Sequence, residues 1–265
     1  MTLPRLVATD LDGTLLRSDG SVSEATAAVL RRLLDRDVEI VFVTARPLRW
    51  MDELWHHVGD RGTGIVSNGA ITYDIGQREV IALQGIDAAE GLAIVEAIQA
   101  LAPGTGFALE ALGGFSRDPA YVDLHEPPPG FRIGALADLW DEPAVKILAQ
   151  HATVDPEEFR RLVVAAVGDL ATPTWTIDGL MEISAAGVTK GAALARLCAL
   201  RGIEPEDVLA FGDMPNDLPM LGWAGTSYAV ANAHPSVLEA ADHVAPANDD
   251  DGVATVLASV FAAVM

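Results

Sequence analysis

The chain has 265 residues, half of them apolar, which is long enough for one large domain or two modest ones. Its 38 acidic residues against 17 lysines and arginines give a formal net charge of −21, which argues against nucleic acid as a partner. The single cysteine, Cys198, excludes an internal disulfide and a multi-cysteine metal site, and its apolar helical context indicates a packed thiol. No apolar run reaches the ~18 residues of a membrane span and the start lacks a signal pattern, so we expect a cytoplasmic protein that does not bind membranes.

An apolar run near the start, residues 6–9, ends in two carboxylates one residue apart, Asp10 and Asp12, followed by Gly13 and Thr14. This pattern predicts a buried parallel strand whose carboxyl end opens into a turn, the place where ligands bind in open α/β sheets. A strand or tight turn can aim both carboxylates at one point, and their mutual repulsion favours a cation between them. Taken alone, the same residues are compatible with an ordinary turn, since Asp and Gly are common there.

Strand and helix patterns alternate after this stretch. Ser21 and Glu24 have the spacing of a capping box and begin a first helix. The apolar run 38–43 predicts a second strand ending at Thr44, and Pro47 suits the first turn of a helix whose buried face carries Met51, Leu54, Trp55 and Val58. With a third strand over 65–67, these alternations indicate a parallel sheet with right-handed crossovers.

The pattern changes to hairpins mixed with two helices in the middle of the chain. The helices begin near Asp87 and Asp155, and the predicted strands are residues 107–112, 121–124, 145–150 and 173–177. This mixture indicates a small α+β module inserted in the α/β domain. We therefore predict a discontinuous core domain of residues 1–83 and 184–265, and an inserted domain of residues 84–183.

Two further signals follow the insert. Lys190 lies in the first turn of a helix, where a positive charge opposes the helix dipole. It is either an exposed lysine, at a cost of about tenths of a kcal/mol, or it faces an anion together with the helix amino terminus. The strand over 208–211 ends at Asp213, Asn216 and Asp217, so these carboxylates can face the same crevice as the first pair. Alone, this segment is also compatible with a turn and a helix cap.

The order and strand context of these residues resemble the four motifs of the haloacid dehalogenase superfamily. The matching residues are Asp10 and Asp12, then Thr44, then Lys190, then Gly212-Asp213 with Asn216-Asp217. The resemblance extends over the whole chain to the Cof-type branch, subfamily IIB, through residues 68–70, 230–233 and 248–253. It implies an α/β fold with a Rossmann-like core, a parallel sheet and an inserted α+β cap of type IIB.

Two positions depart from the family pattern. Ala45 stands where many relatives have glycine after the threonine, and Ala231 replaces a frequent glycine before Asn232. Alanine keeps the backbone N–H, so we expect phosphate binding at Ala45 to persist unless that residue needs a positive φ.

The resemblance implies a Mg²⁺-dependent phosphatase that hydrolyses a small phosphorylated metabolite, a sugar phosphate, through an aspartyl-phosphate. Asp10 is the expected nucleophile, and Asp12 the acid that protonates the leaving alkoxide and then the base that activates water. The residues expected to hold the phosphoryl oxygens are Thr44, Lys190, Asn216 and the N–H of Ala45. The expected Mg²⁺ ligands are Asp10, the carbonyl of Asp12, Asp213 and Asp217.

The sequence does not define the substrate as closely as it defines the reaction. The predicted cap offers polar and aromatic residues without a pattern that can be assigned: Phe115, Arg117, Tyr121, His125, Arg132, Lys146 and His151. Alternatives within the branch are a dedicated mannosylglycerate, sucrose or trehalose phosphate phosphatase, or a phosphohexomutase. A different class is a non-catalytic binder of a phosphorylated ligand, which would not need a paired nucleophile and acid. The sequence indicates no oligomeric state.

Overall fold

A computed structural model describes residues 3–59 and 62–262 of the chain. Its strands are β1 (Leu6–Thr9), β2 (Glu39–Val43), β3 (Thr63–Val66), β4 (Ile71–Asp74), β5 (Glu79–Leu83), β6 (Gly106–Ala111), β7 (Gly114–Arg117), β8 (Arg132–Ile133), β9 (Ala144–Gln150), β10 (Ala171–Thr174), β11 (Leu180–Ala185), β12 (Val208–Gly212), β13 (Thr226–Val230) and β14 (His243–Ala245). Its α-helices are α1 (Glu24–Leu34), α2 (Ala88–Leu101), α3 (Leu136–Leu139), α4 (Pro156–Val167), α5 (Lys190–Arg201), α6 (Leu218–Leu221), α7 (Pro235–Ala240) and α8 (Gly252–Val260).

The chain divides into two compact units, of which the first comprises Met1–Ala82 and Thr189–Met265. Its sheet has the strand order β14-β13-β12-β1-β2-β3-β4-β5. The six strands from β14 to β3 pair in parallel, and β4 runs antiparallel to β3. Because the chain goes from β1 to β2 on one side and returns through β12 on the other, β1 lies at the point where the strand order reverses. In open α/β sheets that point forms the ligand crevice.

Helix starts in this unit follow from local capping. Ser23 accepts a hydrogen bond from the N–H of Thr26 and begins α1, so the cap lies two residues after the predicted Ser21.

The helix predicted after Pro47 is not formed. Residues 48–50 and 55–57 make two short 3₁₀ turns instead. The predicted buried face is partly retained, because Met51, Leu54 and Val58 are buried. Tryptophan and histidine are weak helix formers, and packing rather than helix propensity places these side chains.

The second unit comprises Leu83–Val188. Its sheet has the order β10-β11-β9-β6-β7-β8, with antiparallel pairs except between β7 and β8. The core of this unit joins apolar residues of α2 and α4 to alternate residues of the strands, such as Phe107, Ile147 and Ile183. The opposite alternation carries charged residues, among them Glu110, Lys146 and Glu182, which are nevertheless buried.

The insert differs from its predicted elements in several places. Residues 121–124 are not a strand, because the Asp118 carboxylate accepts hydrogen bonds from the N–H groups of Ala120 and Tyr121 and holds the chain in a turn. Strands β7, β8 and β11 and helix α3 were not predicted. The compact unit runs from Leu83 to Val188, where the sequence predicts 84–183, since the last strand and its turn extend past residue 183.

Other elements close to the prediction are the α4 cap and the end of the chain. The Asp155 carboxylate accepts hydrogen bonds from the N–H groups of Glu157 and Glu158, as the sequence predicts. The sequence also predicts a closing helix from about Gly252 to Val264, and α8 spans Gly252–Val260 of it, while Val264 lies outside the described residues. Cys198 is buried, which confirms a packed thiol. Within residues 3–59 and 62–262, none of the helices has the length and apolarity needed to cross a membrane.

Candidate active site

The carboxyl ends of four neighbouring strands gather polar residues at one edge of the core sheet. Strands β12, β1, β2 and β3 lie side by side and parallel. Asp213 follows β12, Asp10 follows β1, Thr44 follows β2 and Ser67 follows β3. The backbone N–H of Asp10 donates to the carbonyl of Phe211 at 3.0 Å, so the pairing of β1 with β12 continues to the first carboxylate. The strand order thus brings together residues that are about 200 positions apart in the sequence.

Lys190 links two of the carboxylates. Its Nζ donates to Oδ1 of Asp10 at 2.6 Å and to Oδ1 of Asp217 at 2.7 Å. The residue begins α5, whose cap is Thr189, and only 1% of its side chain is exposed. Lys190 is therefore not an exposed surface lysine, and the ammonium that opposes the helix dipole is stabilised by carboxylates in front of the helix.

The electrostatics of this cluster are dominated by burial and by an excess of negative charge. Burial raises the pKa of Asp10 well above its usual value, and the charges of Asp217 and Asp213 raise it further, against the lowering effect of Lys190. Burial, followed by the charge of Asp217, raises the pKa of Asp213 to about 6. Burial alone would lower the pKa of Lys190, but the carboxylates of Asp10 and Asp217 outweigh it and raise the pKa. Three carboxylates face one ammonium, so the site favours additional positive charge.

Asp213 is held from the loop that follows β1. The hydroxyl of Thr14 donates to Oδ1 of Asp213 at 2.9 Å. Gly13, which directly precedes Thr14, has φ +77°, and a Cβ at this position would lie 2.5 Å from Oδ2 of Asp213. Glycine is therefore needed here both for its backbone conformation and for the close approach to the carboxylate.

The donor set fits a divalent cation. Carboxylate oxygens from Asp10, Asp213 and Asp217 lie within 4.8 Å of one another. Carboxylates this close repel one another, and a cation between them relieves the repulsion. Both oxygens of Asp217 are already engaged, Oδ1 by Lys190 and Oδ2 by the N–H groups of Asp213 and Met214. Asp217 therefore also supports Lys190 and the loop after β12, and its place in the metal shell stays a prediction.

Asp12 lies apart from the buried cluster. Its side chain is 57% exposed and forms a two-point ion pair with Arg46, whose Nε donates to Oδ2 at 2.7 Å and whose Nη2 donates to Oδ1 at 2.5 Å. The planar guanidinium fork fixes the orientation of the carboxylate. This hydrogen bond also raises the pKa of Arg46.

The predicted phosphate-binding residues are buried or half-buried at the same strand ends. Thr44 is buried, and its Oγ1 accepts from the N–H of Arg46 at 3.1 Å. Ala45 is not among the residues with positive φ in the part of the chain that the structure describes, so the alanine at this position adds no backbone strain. Asn216 donates from Nδ2 to Oδ1 of Asn68 at 3.0 Å, and its own buried Oδ1 has no hydrogen-bond partner among the described residues.

Several residues of the site were not assigned from the sequence. Arg46 lies two residues after Thr44, and a basic residue near that threonine is the signal that the sequence offers. Asn68 and its neighbour Ser67 form a turn in which both have positive φ, and the hydroxyl of Ser67 is buried without a partner among residues 3–59 and 62–262. A left-handed asparagine before glycine is a common turn signal, but its contact with Asn216 depends on the fold.

The polar residues that the sequence offered in the insert have structural partners within that unit. Arg117 pairs with Asp123, Arg132 with Asp141, and Lys146 with Glu182. The Nδ1 of His151 accepts hydrogen bonds from the backbone N–H groups of Thr153 and Val154. Four of the seven candidates therefore have a structural role in the insert.

Comparison with known proteins decides the family. A family model described as haloacid dehalogenase-like hydrolase matches residues 7–257. The chain belongs to this family. The match covers both segments of the core and the whole insert, and it confirms the resemblance to the Cof-type branch that the motifs indicated.

The relatives include phosphatases of the same length. A phosphoglycolate phosphatase of Halorubrum lacusprofundi is 30% identical over 256 residues and covers 96% of each chain. An HMP-PP phosphatase of Cronobacter sakazakii is 31% identical over 250 residues, with 91% of this chain and 89% of that one covered. Among solved structures, the subclass IIB sugar phosphatase BT4131 has a TM-score of 0.79 at 20% identity, covering 96% of this chain and 98% of that one, which shows a shared fold. This haloacid dehalogenase-like protein is therefore a phosphoric monoester hydrolase, and the predicted α/β core with an inserted α+β unit is confirmed.

Proposed function

We propose that this hydrolase is a Mg²⁺-dependent phosphatase that cleaves a small phosphorylated metabolite, a sugar phosphate, through an aspartyl-phosphate formed on Asp10. One observation carries the proposal. The buried carboxylate of Asp10 is held at a strand end by Lys190 and lies within 4.8 Å of carboxylate oxygens of Asp213 and Asp217, in a cluster with excess negative charge. Phosphoryl transfer depends on positioning and charge neutralisation, and such a cluster with a bound cation supplies both.

Asp10 is the nucleophile in this scheme. The Nζ of Lys190 holds Oδ1, which restricts rotation of the carboxylate and leaves Oδ2 for attack on phosphorus. Attack forms the O–P bond of the aspartyl-phosphate as the bond from phosphorus to the leaving alkoxide breaks. Water then attacks phosphorus, releases inorganic phosphate and restores the Asp10 carboxylate.

Asp12 is the acid and base of the two steps. Its side chain is exposed enough to reach a leaving alkoxide, and Arg46 orients it through both carboxylate oxygens. Protonated Asp12 donates to the alkoxide in the first step, and the resulting carboxylate takes a proton from water in the second. Arg46 must release one of these oxygens for each transfer, so it is a positioning residue.

Four groups are proposed to hold the phosphoryl oxygens. Lys190 supplies the positive charge, and Thr44 and the N–H of Ala45 supply donors at the end of β2. The amide of Asn216 has two N–H donors, of which one contacts Asn68, so the other is suited to a phosphoryl oxygen.

The metal is proposed to be Mg²⁺, held by the carboxylates of Asp10 and Asp213 and the backbone carbonyl of Asp12. Mg²⁺ prefers oxygen ligands and keeps several waters, which suits two carboxylates and one carbonyl. When bound it neutralises negative charge on the phosphoryl group and on the carboxylates. Asp217 is the further expected ligand, and it also holds Lys190 and the N–H groups of Asp213 and Met214.

The inserted unit, predicted as residues 84–183, is proposed to select the leaving group. The relatives are named for different compounds, phosphoglycolate and HMP-PP, so membership of the family alone does not fix the substrate. In a chain of net charge −21, a phosphate ester needs the metal and Lys190 to bind. Sugar phosphates are the class we expect.

The test is phosphate release from a panel of sugar phosphates, phosphoglycolate, nucleotides and p-nitrophenyl phosphate, with Mg²⁺ or EDTA. Asp10→Asn is expected to abolish turnover, whereas Asp169→Asn, an exposed position in the insert, is a matched control and retains it. Conversion of a sugar phosphate to its isomer without release of phosphate would indicate a mutase. Full Mg²⁺-dependent activity in Asp10→Asn would refute the assignment of the nucleophile.

A further inference from the structure

A chain of hydrogen bonds connects the segment after β13 to the carboxylate of Asp213. The Nδ2 of Asn232 donates to the carbonyl of Gly13 at 2.7 Å. The next residue, Thr14, donates from its hydroxyl to Oδ1 of Asp213 at 2.9 Å. The carbonyl of Gly13 and the N–H of Thr14 belong to the same peptide group. Asn232 therefore fixes the plane of the peptide that carries the donor to Asp213.

Asn232 is itself held in place by Asn248. The backbone N–H of Asn248 donates to Oδ1 of Asn232 at 3.0 Å, and its Nδ2 donates to the carbonyl of Leu16 at 2.9 Å. Asn248 is buried, whereas Asn232 is exposed. The two asparagines thus clamp both ends of the loop 13–16. An amide side chain can do this because it offers a donor and an acceptor at once.

The same segment also holds the backbone of Asp213. The N–H of His234 donates to the carbonyl of Asp213 at 2.8 Å. Residues 232–234 therefore fix Asp213 twice, at its carbonyl directly and at its carboxylate through Gly13 and Thr14. The approach is close, since even a methyl group on Gly13 would meet Oδ2 of Asp213.

We propose that Asn232, supported by Asn248, is a positioning residue that sets the Asp213 carboxylate for the divalent cation. The inference rests on the metal site of the proposed function. Groups that orient a metal ligand change metal affinity by about 10–100-fold when removed. Asn232 acts through one peptide and one threonine, so a loss of about tenfold is expected for Asn232→Ala. Because the Asn232 side chain is exposed, its loss is expected to change the free energy of unfolding little, whereas the affinity for the cation falls.

The test is titration of the substrate-free protein with Mn²⁺, with free Mn²⁺ measured by electron paramagnetic resonance. Asn232→Ala is expected to bind Mn²⁺ about tenfold more weakly. Ser236→Ala is the matched control, because it removes a hydrogen bond to His234 in the same segment without touching Gly13, and its affinity stays at the wild-type value. If Asn232→Ala fails to fold, Asn248→Asp is measured instead, since it loses the donor to Leu16 but keeps the backbone bond to Asn232.

A double-mutant cycle separates the proposed route from other effects. Thr14→Val removes the hydroxyl that contacts Asp213, so in the Thr14→Val background Asn232→Ala is expected to cause little further loss. Additive losses, or wild-type Mn²⁺ affinity in a folded Asn232→Ala, would overturn the proposal. Asp213→Asn distinguishes a failure of the role of Asn232 from a failure of the proposed metal site. If it abolishes Mn²⁺ binding while Asn232→Ala does not weaken it, only this inference fails, whereas undiminished binding by Asp213→Asn removes the metal site as well.

Discussion

Replacing Lys190 by methionine removes the one ammonium that faces the buried carboxylates while keeping a side chain of similar length. Its two ion pairs, at 2.6 and 2.7 Å, have a gross Coulomb attraction of about 6 kcal/mol each at an effective dielectric constant of about 20. Burying the ammonium costs several kcal/mol of desolvation free energy. The variant avoids this cost, which offsets much of the lost attraction. The variant is therefore expected to lose about 3–5 kcal/mol of unfolding free energy at pH 7.5, as when one partner of a buried pair is removed.

The pH dependence of this loss identifies its cause. Burial raises the pKa of Asp213 to about 6 and also raises the pKa of Asp10. The charge of Lys190 lowers both pKa values, so its loss raises them further, and the folded variant takes up protons as the pH falls. The urea-unfolding difference between wild type and Lys190→Met should shrink at pH 5. The matched control is Lys146→Met, which breaks the buried Lys146–Glu182 pair of the insert and leaves the core cluster intact.

Activity and metal binding should separate in the same variant. Lys190→Met is expected to lower kcat by about 10²–10³, as for loss of one donor to a developing negative charge. Its Mn²⁺ affinity is not expected to fall, because the ammonium competes with the cation for the carboxylates. Lys146→Met should keep wild-type Mn²⁺ affinity. A loss of less than about 1 kcal/mol at pH 7.5, or the same loss at pH 5, would refute the account of Lys190.

Three further outcomes follow from the site. Because Asp213 must lose its proton to bind a cation, the rise in melting temperature caused by Mg²⁺ relative to EDTA should fade as the pH drops below about 6, and a shift that persists at pH 4.5 would contradict this. Arg46→Lys loses the two-point contact with Asp12 and should lower kcat by about 10–100-fold for a sugar phosphate but less for p-nitrophenyl phosphate, whose leaving group needs little acid. Equal losses on both would exclude a route through the acid. Gly13→Ala should weaken Mn²⁺ binding. Gly20→Ala, at φ +81° with open space around it, should lower the free energy of unfolding without changing Mn²⁺ affinity. Equal Mn²⁺ affinities of the two variants would refute the role of the close approach between Gly13 and Asp213.

The core of the fold could be predicted because its strands are apolar and end in polar residues. The runs before Asp10, Thr44 and Asp213 leave little choice but buried parallel strands, and parallel strand ends share one edge of the sheet. Local composition was a weaker guide where packing decides. The helix expected after Pro47 is two 3₁₀ turns, and residues 121–124 form a turn because the Asp118 side chain binds the backbone.

The roles of individual site residues depended on contacts that no local pattern contains. The sequence treated Asp213 and Asp217 alike, yet Thr14 holds the first, whereas the second accepts from Lys190 and from backbone N–H groups. No role was assigned to Arg46 from the sequence, and Asn232 was placed only within the family segment 230–233. Their side-chain partners, Asp12 and the Gly13 carbonyl, are found only in the structure. Hydrogen bonds between residues far apart in the chain are set by the tertiary fold, so spacing alone could not reveal them.

The most direct measurement of the central claim is acid quenching of the enzyme during turnover of a sugar phosphate it accepts, followed by mass spectrometry of its peptides. The account predicts one phosphoryl group on the peptide that contains Asp10, and a larger phosphorylated fraction in Asp12→Asn with p-nitrophenyl phosphate, because the base that activates water is missing. A phosphorylated peptide elsewhere, or turnover without any phosphorylated enzyme in either protein, would contradict it.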